Sequence, residues 1–167
     1  EGSICRPTAF SHKDEKASAG YYSVLLRDEG IKAELTATAH VGVHRYTFPS
    51  AKPVSIIIDL AHLLDNEYIY EAELEQTASN EIAGMRRTRG WTDNQYVYFV
   101  TRFSKPFQTV GFVQDRKMFS AEAKLTGTDL QAVLTLDDKD SEPVIAKVGL
   151  SIVSVDNARE NLDAEVK

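Results

Sequence analysis

Polar and apolar residues alternate with period two through much of this chain, and that period predicts strands. From Ile31 to His40, the residues Ile31, Ala33, Leu35, Ala37 and Ala39 alternate with Lys32, Glu34, Thr36, Thr38 and His40. One face of such a strand points to a core and the other to water. Tyr21–Leu26 precedes it, and the turn signal Asp28-Glu29-Gly30 joins the two as a hairpin. Gly42 breaks the run. Val43–Phe48 is then the next strand, stopped by Pro49 and Pro53. Val54–Leu60 is almost continuously apolar, which predicts a strand buried on both faces. Tyr68–Leu74 alternates again, and after a polar gap from Glu75 to Asn80 the segment Glu81–Arg87 leads into an arginine-rich stretch. Gln95–Phe103 carries bulk on both faces, and Ser104-Lys105-Pro106 turns the chain. Phe107–Val113, Ala121–Gly127 and Leu130–Leu136 follow, then the acidic turn Asp137-Asp138-Lys139-Asp140 and a long apolar strand, Val144–Val153.

Only the end of the chain changes period. Ser154 supplies an N-cap, Asp156 sits in the first turn where the helix dipole favours an anion, and Ala158, Leu162 and Glu165 or Val166 recur at helical spacing. About ten or eleven short strands with turn signals every 8–12 residues predict an all-β fold, an antiparallel β-sandwich with a short C-terminal helix. The expected organisation is an irregular segment over residues 1–18, a β-sandwich domain over 19–154, and a helix over 155–167.

Composition narrows the function more than the fold. A chain of 167 residues suffices for one domain with a sizeable core. Its net charge of −6 argues against non-specific nucleic-acid binding, which needs a basic field. No segment approaches the roughly 20 apolar residues of a membrane span. No charged n-region and apolar h-region open the chain, so a signal peptide is expected to be absent or already removed. The lone Cys5 excludes an internal disulfide and a cysteine-based metal cluster.

Chemistry concentrates in Met85–Phe99. This stretch holds the only tryptophan, Trp91, with Arg86, Arg87 and Arg89 close by and a turn signal at Asp93-Asn94. A flat aromatic ring beside fork-shaped donors suits a sugar or an anion. The structural alternative packs Trp91 under a hairpin loop and leaves the arginines to solvate its rim. Elsewhere the candidates are thin. His12, His40, His44 and His62 are dispersed; His40 and His44, four apart along a strand, stand roughly 13 Å from each other, too far to share a metal. Asp137, Asp138 and Asp140 lack the Gly and terminal Glu of a calcium loop. No phosphate loop, no Gly-x-Ser-x-Gly elbow and no carboxylate pair stands out, so no self-contained active site is expected.

Several segments taken together carry a resemblance. They are Phe10–Tyr22, Ile31–Thr38, Val43–Pro49, Ile57–Leu60, Arg89-Gly90-Trp91-Thr92-Asp93-Asn94-Gln95-Tyr96-Val97-Tyr98-Phe99, Phe103–Pro106 and Val148–Ser151. In this order they resemble the N-terminal β-sandwich (supersandwich-like) domain of glycoside hydrolase family 92. That family comprises calcium-dependent, exo-acting α-mannosidases common in gut Bacteroides-type bacteria. The resemblance runs from about Phe10 to the C-terminus.

It implies a parent enzyme that trims α-linked mannose from glycans with inversion. In the family, an (α/α)6 barrel supplies the general acid, the general base and most calcium ligands, the two carboxyls standing about 6.5–9.5 Å apart around a water. Calcium is then a cofactor of the parent, with none expected in this segment. The partners implied are that barrel in the same chain and mannose-containing glycans. Two departures are expected: the catalytic carboxylates lie beyond Lys167, and the family's earlier sandwich segments, with their substrate-facing tryptophan, precede this sequence. Trp91 therefore does not inherit that tryptophan's role. Missing strands would leave a sheet edge open to self-association. The resemblance also implies a periplasmic, cell-surface or secreted location. Trp91, Arg86 and Arg89 are expected to face substrate or a domain interface, and His12 and Glu15 to sit in a polar loop toward the barrel. The alternative is a stand-alone sandwich that binds carbohydrate or protein without catalysis.

Overall fold

The computed structural model of the chain describes residues 8–49, 54–63, 67–120, 124–136 and 142–167. Cys5, Pro53 and the Asp137–Asp140 turn lie outside the described residues. Among the described residues, thirteen strands and one α-helix follow in order. They are β1 (Lys16–Ser18), β2 (Tyr21–Leu26), β3 (Ile31–Ala37), β4 (Val41–Thr47), β5 (Val54–Asp59), β6 (Tyr68–Ala78), β7 (Glu81–Arg89), β8 (Gln95–Phe103), β9 (Phe107–Gln114), β10 (Lys117–Ser120), β11 (Leu125–Gly127), β12 (Leu130–Leu136), β13 (Val144–Ser151) and α1 (Val155–Glu165).

Every strand pairing is antiparallel. One sheet runs β1-β2-β3-β4-β13-β8-β7-β6-β11 and the other β10-β9-β12-β5. The all-β sandwich expected from periodicity is the fold. Phe112 from the small sheet and Leu74, Ile82 and Phe103 from the large one fill the space between them, together with Leu130, Leu134 and Leu136. A second, smaller core sits on the outer face of the large sheet, where Val41, Ala83 and Val100 meet Ala158 and Leu162 of α1. Alternation makes both possible: Ile82 enters one core and its neighbour Ala83 the other.

The structure departs from the sequence expectations at several places. Gly42 lies inside β4 instead of breaking a strand, and β6 runs on through Glu75 to Ala78, where a polar gap is expected. The segment read as irregular to Ser18 contains a 3-10 turn, His12–Asp14, capped by the Ser11 side chain, and then strand β1. Strand β10 was not foreseen. The chain reverses before it through Asp115 and Arg116, at φ 49° and 65°, with no glycine to mark the turn. Nor is β5 buried on both faces. It ends the small sheet, and only Val54 at its start is fully buried. Of the strand read over 121–127, residues 121–123 lie outside the described residues, and β11 occupies the rest.

Two carboxylates tie the outer face together. Glu34 on β3 receives a bidentate pair from Arg45 on β4 at 2.7 and 2.8 Å, and the Tyr21 hydroxyl donates to it at 2.7 Å. Glu165 at the end of α1 accepts from the Thr38 hydroxyl and the His40 amide. The Arg45 bonds hold the Glu34 carboxyl at about 2, and the Thr38 and His40 bonds hold that of Glu165 at about 2. Both lie below the ordinary 4.5, so the contribution to stability is full above about pH 4.5 and is lost as pH falls through about 2. Denaturation midpoints are expected to drop across that window in the native protein and to fall less steeply in the Glu34→Gln/Glu165→Gln variant. Parallel curves would count against these two groups.

Candidate functional site

The arginine-rich stretch is the β7–β8 hairpin. Its tip closes with the Gly90 amide donating to the Thr92 carbonyl at 3.0 Å, while Arg87 Nε donates to Asn94 Oδ1 at 2.7 Å across the hairpin. Trp91 projects from this tip with 99% of its surface exposed. It is not packed under the loop, which removes the hairpin-packing alternative. A wholly solvated tryptophan adds little to the packing of the fold.

Strand alternation separates Arg86 from Arg87 and Arg89. Arg87 points to the outer face, where its guanidinium lies 5.1 Å from the Tyr70 ring centre and 5.4 Å from that of Tyr96. Tyr96 in turn stacks on Tyr98, two residues along the strand, at 6.1 Å. Arg89 reaches only Asp93, at 3.6 Å in open solvent. Such a pair contributes little. Arg86 turns the other way, into a groove between the sheets, where the Glu67 carboxylate is 3.6 Å from its Nη2.

His12 and Glu15 lie far from this end of the molecule. Glu15 accepts from the Tyr22 hydroxyl and contacts His12 Nδ1, and these bonds, the tyrosine's first, hold its carboxyl below the usual range. Their strand neighbour β1 is six strand steps from β7, about 29 Å at about 4.8 Å per step. The structure thus brings together Trp91 and Arg89 at one tip, sends Arg86 inward, and leaves His12 and Glu15 at the opposite edge.

Two clusters escaped the sequence. Glu81 is buried, where desolvation pushes its carboxyl up. Bonds from Thr77, Arg102 and Arg159 outweigh that and hold it low. Arg159 is on α1, so this carboxylate pins the helix to the sheet. The other cluster is His44 Nδ1 with the Tyr46 hydroxyl at 2.8 Å on the groove floor, where burial pushes the imidazole pKa down. Tyrosines at alternate positions, Tyr68/Tyr70 and Tyr96/Tyr98, were the legible signal for the outer-face ladder. Nothing local marked Glu81 as an anchor, because its two arginine partners come from 21 and 78 residues away. Among the described residues no three of His, Cys, Asp or Glu converge as a metal would require. No helix among them is long and apolar enough to cross a membrane.

With this geometry in hand, residues 3–151 match the family model described as glycosyl hydrolase family 92 N-terminal domain. The chain belongs to that family. Among solved structures, the GH92 α-mannosidase BT3965 of Bacteroides thetaiotaomicron is similar at 34% identity and a TM-score of 0.87, over 94% of this chain. The GH92 glycosyl hydrolase ccman5 is similar at 28% identity and TM-score 0.83, over 95% of this chain. The inverting GH92 mannosidase BT2199 of B. thetaiotaomicron, at 24% identity and TM-score 0.79, shares the fold. No curated protein matches. The chain spans 22% of the length of BT3965 and 22% of that of ccman5. As a GH92 N-terminal domain it is a β-sandwich whose relatives carry most of their length elsewhere.

Proposed function

We propose that this chain is the non-catalytic N-terminal domain of an exo-acting, inverting α-mannosidase that trims mannose from glycans in a calcium-dependent way. The observation that carries the reading is the 34% identity, over 94% of the chain, to an α-mannosidase. The described residues of this domain offer calcium no set of converging ligands. In this reading the ion and the acid and base carboxylates belong to an (α/α)6 domain of the same polypeptide. The sandwich serves as scaffold and as one wall of the sugar site. Its glycan-trimming role fits a periplasmic, cell-surface or secreted location.

A second reading draws on Trp91. Its full exposure at the same hairpin tip as Arg89 suits a carbohydrate- or protein-binding module without catalysis. The open sheet edges also suit self-association.

One set of measurements separates these. The full-length protein is expected to release mannose from α-mannosides, to lose that activity in excess chelator and to regain it with calcium. Activity indifferent to chelator would remove the calcium from the proposal, and no release at all would remove the mannosidase. Calorimetry of residues 1–167 with mannose oligosaccharides then decides the second reading, which requires binding that vanishes in Trp91→Ala.

A further inference from the structure

Strand β6 changes phase partway along its length. Ala72 and Leu74 face the inner core, and unbroken alternation would turn Tyr68 and Tyr70 inward with them. A β-bulge between Ile69 and Glu71 resets the count. Ile69 enters the core instead, and Tyr68 and Tyr70 emerge on the outer face, 59% and 40% exposed. Two rings that a core could have used are thus given to solvent.

There they meet a fixed cation. Glu71, Arg87 and Tyr96 form one row across β6, β7 and β8, and Tyr98 lies two residues further along β8. The Arg87 guanidinium sits between the Tyr70 and Tyr96 rings, 5.1 and 5.4 Å from their centres. Its Nε donates to Asn94 Oδ1 at 2.7 Å, while its two terminal nitrogens make no hydrogen bond among the described residues. Tyr68 meets Tyr70 edge-on at 5.2 Å, and the Tyr96 and Tyr98 rings are within 8° of parallel. The face therefore presents aromatic rings around a pair of unmet, oriented donors.

We propose that this face binds a neutral oligosaccharide. The C–H surfaces of the sugar lie on the tyrosine rings, and its hydroxyl oxygens accept from the Arg87 Nη groups. Local charge selects against an anion. Glu71 is in register with Arg87, Asp93 stands 3.6 Å from Arg89, and the chain carries a net charge of −6. Size selects against a protein. Three strands span about 10 Å, and the rows from Tyr68 to Tyr98 cover about 13 Å along them, a patch of roughly 130 Å². A stable protein interface takes about 800 Å² from each partner. A small oligosaccharide fits the patch. The site needs neither catalysis nor Trp91, so it stands apart from both readings above.

Tyrosine nitration and calorimetry on the full-length protein test this. The probes are β-1,4-mannotriose and cellotriose, neutral sugars with no α-linkage for a mannosidase to cut. Tyr68 and Tyr70 are expected to be nitrated in the free protein and protected by saturating sugar, a readout that needs no variant. Tyr70→Ala/Tyr96→Ala is expected to weaken binding at least about 10-fold. Arg87→Lys keeps the charge but loses the fork, and should weaken it about 3-fold or more. Tyrosines that resist nitration in the free protein overturn the proposal, because the face is then covered by protein. Failure of both sugars to bind also overturns it, as does protection of Tyr68 and Tyr70 by inorganic sulfate in their place. Binding that vanishes in Trp91→Ala and survives in Tyr70→Ala/Tyr96→Ala overturns it too, and leaves the hairpin tip as the binding site. Mannose release from α-mannosides is measured separately, so the mannosidase reading and this one fail independently.

Discussion

Phe112→Ala is expected to destabilise the protein by about 3–5 kcal/mol. Phe112 is fully buried at the centre of the small sheet and packs in the core that Leu74, Ile82 and Leu134 also fill. Removing the ring takes away its burial and leaves a cavity that two stiff sheets cannot collapse to fill. Domains of this size are stable by only about 5–15 kcal/mol, so the variant should sit near the edge of folding. Trp91→Ala removes a larger ring and is expected to change stability by no more than about 0.5 kcal/mol, because Trp91 is 99% exposed. Urea denaturation of the two variants side by side measures both. A large loss at Trp91 would mean that the hairpin tip is packed, contrary to the structure.

Gly149→Ala is also expected to damage the fold. A Cβ there would lie 2.4 Å from the Ala158 carbonyl oxygen and 2.8 Å from the Leu162 Cβ. Both belong to α1, and the nearer is backbone, so the helix must lift as a whole. Overpacking of this kind costs about 1–3 kcal/mol. The helix is further held by Glu81, whose carboxylate takes Arg159 of α1 and Arg102 of β8, with Arg102 also reaching Asp163. Lifting α1 therefore strains a buried ion-pair cluster as well as the Val41–Val100–Leu162 packing. The expected result is a lower denaturation midpoint together with earlier proteolysis within 155–165. An unchanged midpoint would mean that the sheet and helix are less closely apposed than described.

Why some features were legible from residues and others not has a common physical basis. Ile31–Ala37 could be read because a half-buried strand repeats every two residues, a strictly local property. The short helix was equally local, its Ser154 cap accepting from the Asn157 amide. The reversal into β10 was missed because Asp115 and Arg116 adopt positive φ without the glycine that usually signals it. β5 was misjudged for another reason: its apolar run states which faces avoid water, and sheet neighbours are a matter of topology.

The candidate site shows the same division. That Met85–Phe99 held a tryptophan and three arginines was plain, and so was their grouping as markers of a GH92 N-terminal domain. Which way each pointed was not. Adjacent strand residues face opposite sides, so Arg86 enters the groove while Arg87 and Arg89 share the other face, Arg87 against the tyrosine ladder and Arg89 in solvent at the strand's end.

By itself the sequence determined an all-β sandwich, its closing helix and its family, because strand period, capping and ordered segments are written in neighbouring residues. Only the tertiary structure decided that Trp91 stands free, that His12 and Glu15 are remote from it, that Glu81 anchors α1, and that β5 ends its sheet above a groove. Each of those depends on strands far apart in the chain being set side by side, which alternation along one strand cannot specify.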